Sequence, residues 1–166
     1  MIFFFSLCYI HTGLKHQIVH RDVKTSNILL DENWVAKISD FDLSKIDPAN
    51  GSTNVRGSIG YLDPEYCRLH KLTEKYDIYS LGVVLLEVLS AKFVVNLAAS
   101  EANYNEEDED PKSFVEWGLN CYEKRDWDTL IDRNLKGKIA PASLAKFMEI
   151  TQKYLAKRGV DRPSIN

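Results

Sequence analysis

The chain has 166 residues, 45% of them hydrophobic and 27% charged, with a net charge of −3. That suffices for one domain with a real core, and it is an ordinary globular composition. No basic stripe suggests a nucleic-acid footprint. The widely spaced Cys8, Cys67 and Cys121 form neither a C-x-x-C pair nor an even disulfide framework, so a reducing, intracellular setting is expected.

Met1 to Cys8 is apolar but has no basic leader and is far too short to span a bilayer. A buried helix over residues 2–12, stopping near Thr12-Gly13, is expected instead. Ile18-Val19 is a short apolar run. Ile28-Leu29-Leu30 and Val35 to Ile38, joined by the polar Asp31-Glu32-Asn33, predict two short strands and a turn. Residues 43–60 lack periodicity and predict a long loop. Thr73 to Ser90 is the clearest helix, with Ile78, Leu81, Val84, Leu85 and Val88 at helical spacing. It is apolar around most of its circumference and belongs inside a core. The acidic run within 98–112 predicts a solvated surface insertion; a docking surface for a basic partner is the alternative. Ser113 to Tyr122 and Pro141 to Lys157 predict two further amphipathic helices, with Pro141 in a first turn. The layout is mainly α with a small β element.

The chemistry concentrates in His20-Arg21-Asp22-Val23-Lys24-Thr25-Ser26-Asn27 and Ser39-Asp40-Phe41-Asp42. The spacing H-R-D-x-x-x-x-N, then D-F-x, matches the catalytic and metal-binding half of a protein kinase site. Phosphoryl transfer needs a carboxylate near the incoming hydroxyl, cations on the phosphates and hard oxygen ligands for Mg²⁺. Asp22 suits the first role, Lys24 the second, and Asn27 with Asp40 the third. His11, His16 and His20 fit no zinc spacing; His20 reads as a packed residue stacking on Phe41.

These motifs resemble the C-terminal lobe of a plant receptor-like serine/threonine kinase, of the malectin-like-domain (FERONIA-type) branch. Gly57 to Tyr66 looks like that family's substrate loop with a D-P-E element, Asp77 to Gly82 like its central helix start, and Asp161-Arg162-Pro163-Ser164 like its late arginine motif. The resemblance implies a protein-kinase-like C-lobe, a helical bundle with its small β element at the catalytic loop. It implies ATP and Mg²⁺ as cofactors and a protein substrate or regulatory kinase as partner. It also implies a place on the cytoplasmic side of a membrane, with no membrane span in this chain.

Site roles follow from the same resemblance. Leu29 would pack beneath the adenine ring. Asp77 would hold the backbone of His20-Arg21, Ser58 would contact Asp22 and Lys24, and Glu65 would form a buried ion pair with Arg162. Residues 40–65 would be the activation segment, in which phosphate on Ser52 or Thr53 could pair with Arg21.

Against the family pattern, no G-x-G-x-x-G loop and no V-A-I-K lysine is found, and Asp42 replaces the glycine of D-F-G. Residues 1–166 therefore read as a partial kinase domain, its N-lobe absent and both ends truncated. A glycine at the third D-F-G position tolerates backbone states that side chains resist, so Asp42 is expected to slow the site. Three functions stay open: a serine/threonine kinase of weak activity, a pseudokinase-like interaction module, and a fragment without independent function.

Overall fold

The computed structural model describes residues 7–46, 54–94 and 113–164. The Phe3-Phe4-Phe5 run, part of the 40–65 segment and the 98–112 insertion lie outside the described residues, as do Ser52 and Thr53.

From Leu7 the chain is helical and widens into a π-type turn over Tyr9–Gly13. Four strands follow among the described residues: β1 (Ile18–Val19), β2 (Ile28–Leu30), β3 (Ala36–Ile38) and β4 (Lys45–Ile46). β2 and β3 form the expected antiparallel hairpin, Leu29 opposite Lys37. Its turn is closed by Asp31, whose Oδ1 accepts from the backbone N–H groups of Asn33 and Val35 at 2.9 Å each. β1 pairs antiparallel with β4, Val19 opposite Lys45, so the loop expected over 43–60 contains a two-residue strand. The two ladders matter for function. β1 leads into His20-Arg21-Asp22 and β4 leads out of Asp40-Phe41-Asp42, so their pairing draws the two motifs together.

The helices are α1 (Pro64–Leu69), α2 (Lys75–Ser90), α3 (Phe114–Glu123), α4 (Trp127–Leu130) and α5 (Pro141–Tyr154). Asp63 caps α1, accepting from the Glu65 N–H, and Pro64 follows at the first helical position. Ser113 and Glu116 form a reciprocal capping box on α3. α5 opens on Pro141 and stops at Tyr154, a little short of the expected end. α2 is the hub: Ile78, Leu81, Val83, Leu86 and Leu89 are buried, and α3 and α5 pack on it. Val88 breaks its apolar circumference by facing out.

Beneath the β2–β3 hairpin runs an apolar groove of about 540 Å³. Leu81, Val84 and Leu85 of α2 floor it, Phe147 and Ile150 of α5 wall it, and Thr25 stands at its edge. Among the described residues, no helix is long and apolar enough to cross a membrane.

Candidate active site

Asp22 lies in the loop between β1 and β2 and is buried. Its Oδ1 accepts from Ser58 Oγ at 2.7 Å, and its Oδ2 sits 2.8 Å from Lys24 Nζ and accepts from Asn27 Nδ2 at 3.0 Å. Lys24 Nζ also donates to Ser58 Oγ at 2.9 Å. A carboxylate, an ammonium and a hydroxyl thus form a closed triangle, and Ser58 makes both of its expected contacts.

Burial raises the Asp22 pKa, but the hydrogen bonds and charge of Lys24 and the hydrogen bonds of Ser58 and Asn27 outweigh it. The carboxyl therefore titrates below its ordinary 3.8. A folded-state pKa below the unfolded one adds stability above the unfolded value, and that stability is lost as pH falls through the folded value. Thermal melts between about pH 3 and about pH 7 should show this. The pH-dependent part of the gap between the chain and its Asp22→Asn variant is full above the unfolded pKa and closes in acid. A gap that widens on acidification would reverse the sign.

The second motif is gripped through Ser39. Its N–H and Oγ donate to the Asn27 carbonyl at 2.9 and 3.0 Å, and its own carbonyl lies 3.0 Å from His20 Nε2. Asp40 therefore follows directly on a residue pinned to Asn27. His20, fully buried, stacks edge-on against Phe41 with ring centroids 4.7 Å apart, as expected. Among the described residues no cluster of three or more His, Cys, Asp or Glu could hold a metal. Asn27 and Asp40 are instead oxygen donors of the kind Mg²⁺ shares with phosphates. The Asn27 amide nitrogen is engaged with Asp22, which leaves its oxygen as the end available to a cation.

Asp42 needs no left-handed backbone. The left-handed residue of this motif is Asp40, at φ 65°, while Asp42 is not among the positive-φ residues. An aspartate at the glycine position therefore meets no steric objection in this conformation. Its N–H points at Asp40 Oδ1 at 3.5 Å, the outer limit of a hydrogen bond.

Asp77, at the start of α2 and fully buried, holds the backbone of His20-Arg21. Oδ1 accepts from Arg21 N at 2.9 Å, and Oδ2 accepts from His20 N at 2.8 Å. A third partner, His11 Nε2 at 2.8 Å, has no signal in the sequence. Arg21 is itself left-handed, at φ 71°, and its guanidinium donates to the Asn54 carbonyl and to Tyr66 Oη, both at 2.9 Å. Gly57 sits at φ 140°, and a Cβ there would lie 2.0 Å from the Tyr76 hydroxyl, so only glycine fits.

The pair expected between Glu65 and Arg162 is not formed. Arg162, buried, bonds Asp63 bidentately, Nη1 to Oδ2 at 2.5 Å and Nη2 to Oδ1 at 2.8 Å. Its Nε donates to the Ala156 carbonyl and its guanidinium lies 4.9 Å from the Tyr79 ring. Glu65 accepts instead from Gly159 N. The cause is the start of α1. Asp63, just before the helix, directs its carboxylate inward, while Glu65, inside the first turn, faces the 3₁₀ turn Gly159–Asp161. The Asp-Pro dipeptide, a helix-start signal, could have suggested this from sequence. Leu29, on β2, is 56% exposed.

A carboxylate, an ammonium and a hydroxyl thus meet in a loop anchored to α2, with the oxygen donors of Asn27 close by. The protein kinase domain model matches residues 4–166, and the chain belongs to the protein kinase family. It is 52% identical over 163 residues to the receptor-like protein kinase ANXUR2 of Arabidopsis thaliana, covering 96% of this chain and 18% of that protein. The Arabidopsis thaliana receptor-like protein kinases FERONIA and THESEUS 1 are each 50% identical over 163 residues, again 96% of this chain, and 17% and 18% of their lengths respectively. The chain thus spans less than a fifth of the curated relatives it matches.

Proposed function

We propose that this chain forms the helical lobe of a protein serine/threonine kinase and supplies the catalytic and metal-binding half of its site. The observation that carries this reading is the Ser58 hydroxyl held between Asp22 and Lys24. Phosphoryl transfer to a protein hydroxyl needs a carboxylate and a cation in this relation. Asp22 takes the proton of the incoming serine or threonine, and Lys24 offsets charge on the transferring group. Asn27 and Asp40 would hold Mg²⁺, and Leu29 offers apolar surface to an adenine ring. Mg²⁺–ATP, when bound, supplies the phosphoryl group. Phosphate on Ser52 or Thr53 would be the regulatory mark, with Arg21, which already donates to the Asn54 carbonyl, as its counter-charge. The receptor-like relatives support a cytoplasmic face of a membrane as the setting and a protein substrate or regulatory kinase as partner.

Residues 1–166 contain no G-x-G-x-x-G loop and no V-A-I-K lysine, the parts that cover and pair the nucleotide phosphates. The expected result is therefore a thermal shift of no more than about 1 °C in millimolar Mg²⁺–ATP, with slow phosphate transfer to a serine-rich acceptor protein that Asp22→Asn abolishes. A shift of several degrees lost in Asp40→Ala would refute the half-site reading in favour of a self-sufficient nucleotide site. Transfer that survives Asp22→Asn would sink the role of Asp22.

A second reading is a pseudokinase-like interaction module. It is favoured by the Asp63–Arg162 pair and the Asp77 network, which are complete without any nucleotide. No transfer above the Asp22→Asn background is the outcome that selects it.

A further inference from the structure

Asp42 is where this chain departs from D-F-G, and phosphoryl transfer assigns its carboxylate no part. The segment Asp40-Phe41-Asp42-Leu43-Ser44 sets a side-chain oxygen at every second residue. Loops that wrap one cation in oxygen donors use this spacing. The glycine and glutamate that complete a helix-flanked calcium loop do not follow, so the likeness is to the spacing alone. The chain turns back on itself here. Ser44 donates to the Phe41 carbonyl from its N–H at 2.9 Å and from its Oγ at 2.7 Å, so the hydroxyl oxygen keeps its lone pairs. The Asp42 N–H lies 3.5 Å from Asp40 Oδ1, which keeps the two residues close. Both aspartates are exposed, and among the described residues neither makes an ion pair.

A second observation comes from the catalytic loop. Asn27 is only 6% exposed, and its amide nitrogen is spent on Asp22. Among the described residues its amide oxygen accepts from no donor. The side chain is thus pinned by one end with the other unengaged, as a preorganised metal ligand is. Ser39 bonds the Asn27 carbonyl twice and directly precedes Asp40, so the amide and the first carboxylate are tied together. We propose that Asp42 turns this half-site into a cation site that needs no nucleotide. Asp40, Asp42 and Asn27 supply its oxygens, Ser44 adds a further donor, and the site favours Ca²⁺ over Mg²⁺. Mg²⁺ demands near-octahedral geometry and sheds water reluctantly, whereas Ca²⁺ accepts about six to eight oxygens in loose arrangements. Donors spread along an exposed loop suit the larger ion. Two unpaired carboxylates one residue apart also repel each other, which a divalent cation relieves. Ca²⁺ held there takes the place of the Mg²⁺ that accompanies ATP, which makes calcium an inhibitor of the half-site. The parts of Asn27 and Asp40 rest on the kinase reading; Asp42 is the addition.

The test titrates Ca²⁺ and Mg²⁺ separately into the isotope-labelled, nucleotide-free chain and follows amide shifts by NMR. The signals of residues 40–44 and of the Asn27 side chain should move together with Ca²⁺, with a Kd of about 0.1–1 mM, and several-fold more weakly with Mg²⁺. Asp42→Asn keeps the shape and removes the charge. It should weaken the Ca²⁺ titration about tenfold, as losing one of two carboxylates beside a divalent ion warrants. Cations drawn to the acidic residues between Glu101 and Asp110 move other amides and do not enter this reading. An Asp42→Asn titration that matches the unaltered chain overturns the proposal, as does tighter binding of Mg²⁺ than of Ca²⁺, or no shift at residues 40–44. Asp40→Asn separates the two readings. Shifts lost in Asp40→Asn but unchanged in Asp42→Asn remove Asp42 and leave the kinase ligands standing. Shifts that survive Asp40→Asn overturn the proposal and take Asp40 out of the kinase metal site as well.

Discussion

Replacing Asp63 with alanine should destabilise the chain by about 3–5 kcal/mol, the usual cost of removing one partner from a buried ion pair. Arg162 would remain in place, 2% exposed, with its charge unmatched. The Ala156 and Lys75 carbonyls that also receive it accept hydrogen bonds but carry no counter-charge. The same change strips the cap from α1, typically a further ~1 kcal/mol. Glu65→Ala removes only the acceptor for Gly159 N and should cost about 1 kcal/mol. Urea unfolding of the two variants side by side decides between them. A Glu65→Ala loss equal to or larger than that of Asp63→Ala would return Glu65 to the role the motif suggested.

Asp77→Ala should be nearly as damaging, and locally more so. It leaves two buried backbone N–H groups, of His20 and Arg21, without acceptors at about 1–3 kcal/mol each, and it strands the ring of His11. Arg21 holds a left-handed backbone that a bulky residue keeps only when its surroundings enforce it. Released from Asp77, that residue should relax toward ordinary φ values and carry Asp22 away from Ser58. Amide exchange at residues 20–24 should rise far more than exchange in α5, alongside a large drop in melting temperature. A melting temperature within a few degrees of the unaltered chain would mean that the Tyr76 hydroxyl, 3.2 Å from the Arg21 carbonyl, suffices to hold the loop.

The sequence exposed the parts of the molecule whose causes are local. The β2–β3 hairpin was legible because Asp31 builds its own turn, and α2, α3 and α5 because their apolar residues fall at helical spacing. The triangle of Asp22, Lys24 and Ser58 was implied by the family resemblance that its motifs carry. What stayed hidden depends on meetings between distant segments. β1 and β4 are two residues each, too short for any pattern, and exist only as each other's partner. His11 finds Asp77 across the core. Two acidic residues stood ready for Arg162, and the direction of the chain entering α1 chose between them. At Asp42 the residue type was legible but its φ was not.

The apolar groove under the β2–β3 hairpin has a practical consequence for every stability measurement suggested above. Dyes such as ANS brighten on open hydrophobic surface, and their fluorescence is often taken as a sign of a loosened, molten state. Here Leu30 and Val88, both exposed, line such a surface in the intact fold together with the less exposed Phe147 and Ile150. The native protein should already light the dye, and a dye-monitored melt will start from a high baseline. Loss of structure is better followed through the near-ultraviolet signal of its aromatic side chains, such as the packed Phe114–Trp117 and Tyr122–Trp127 pairs.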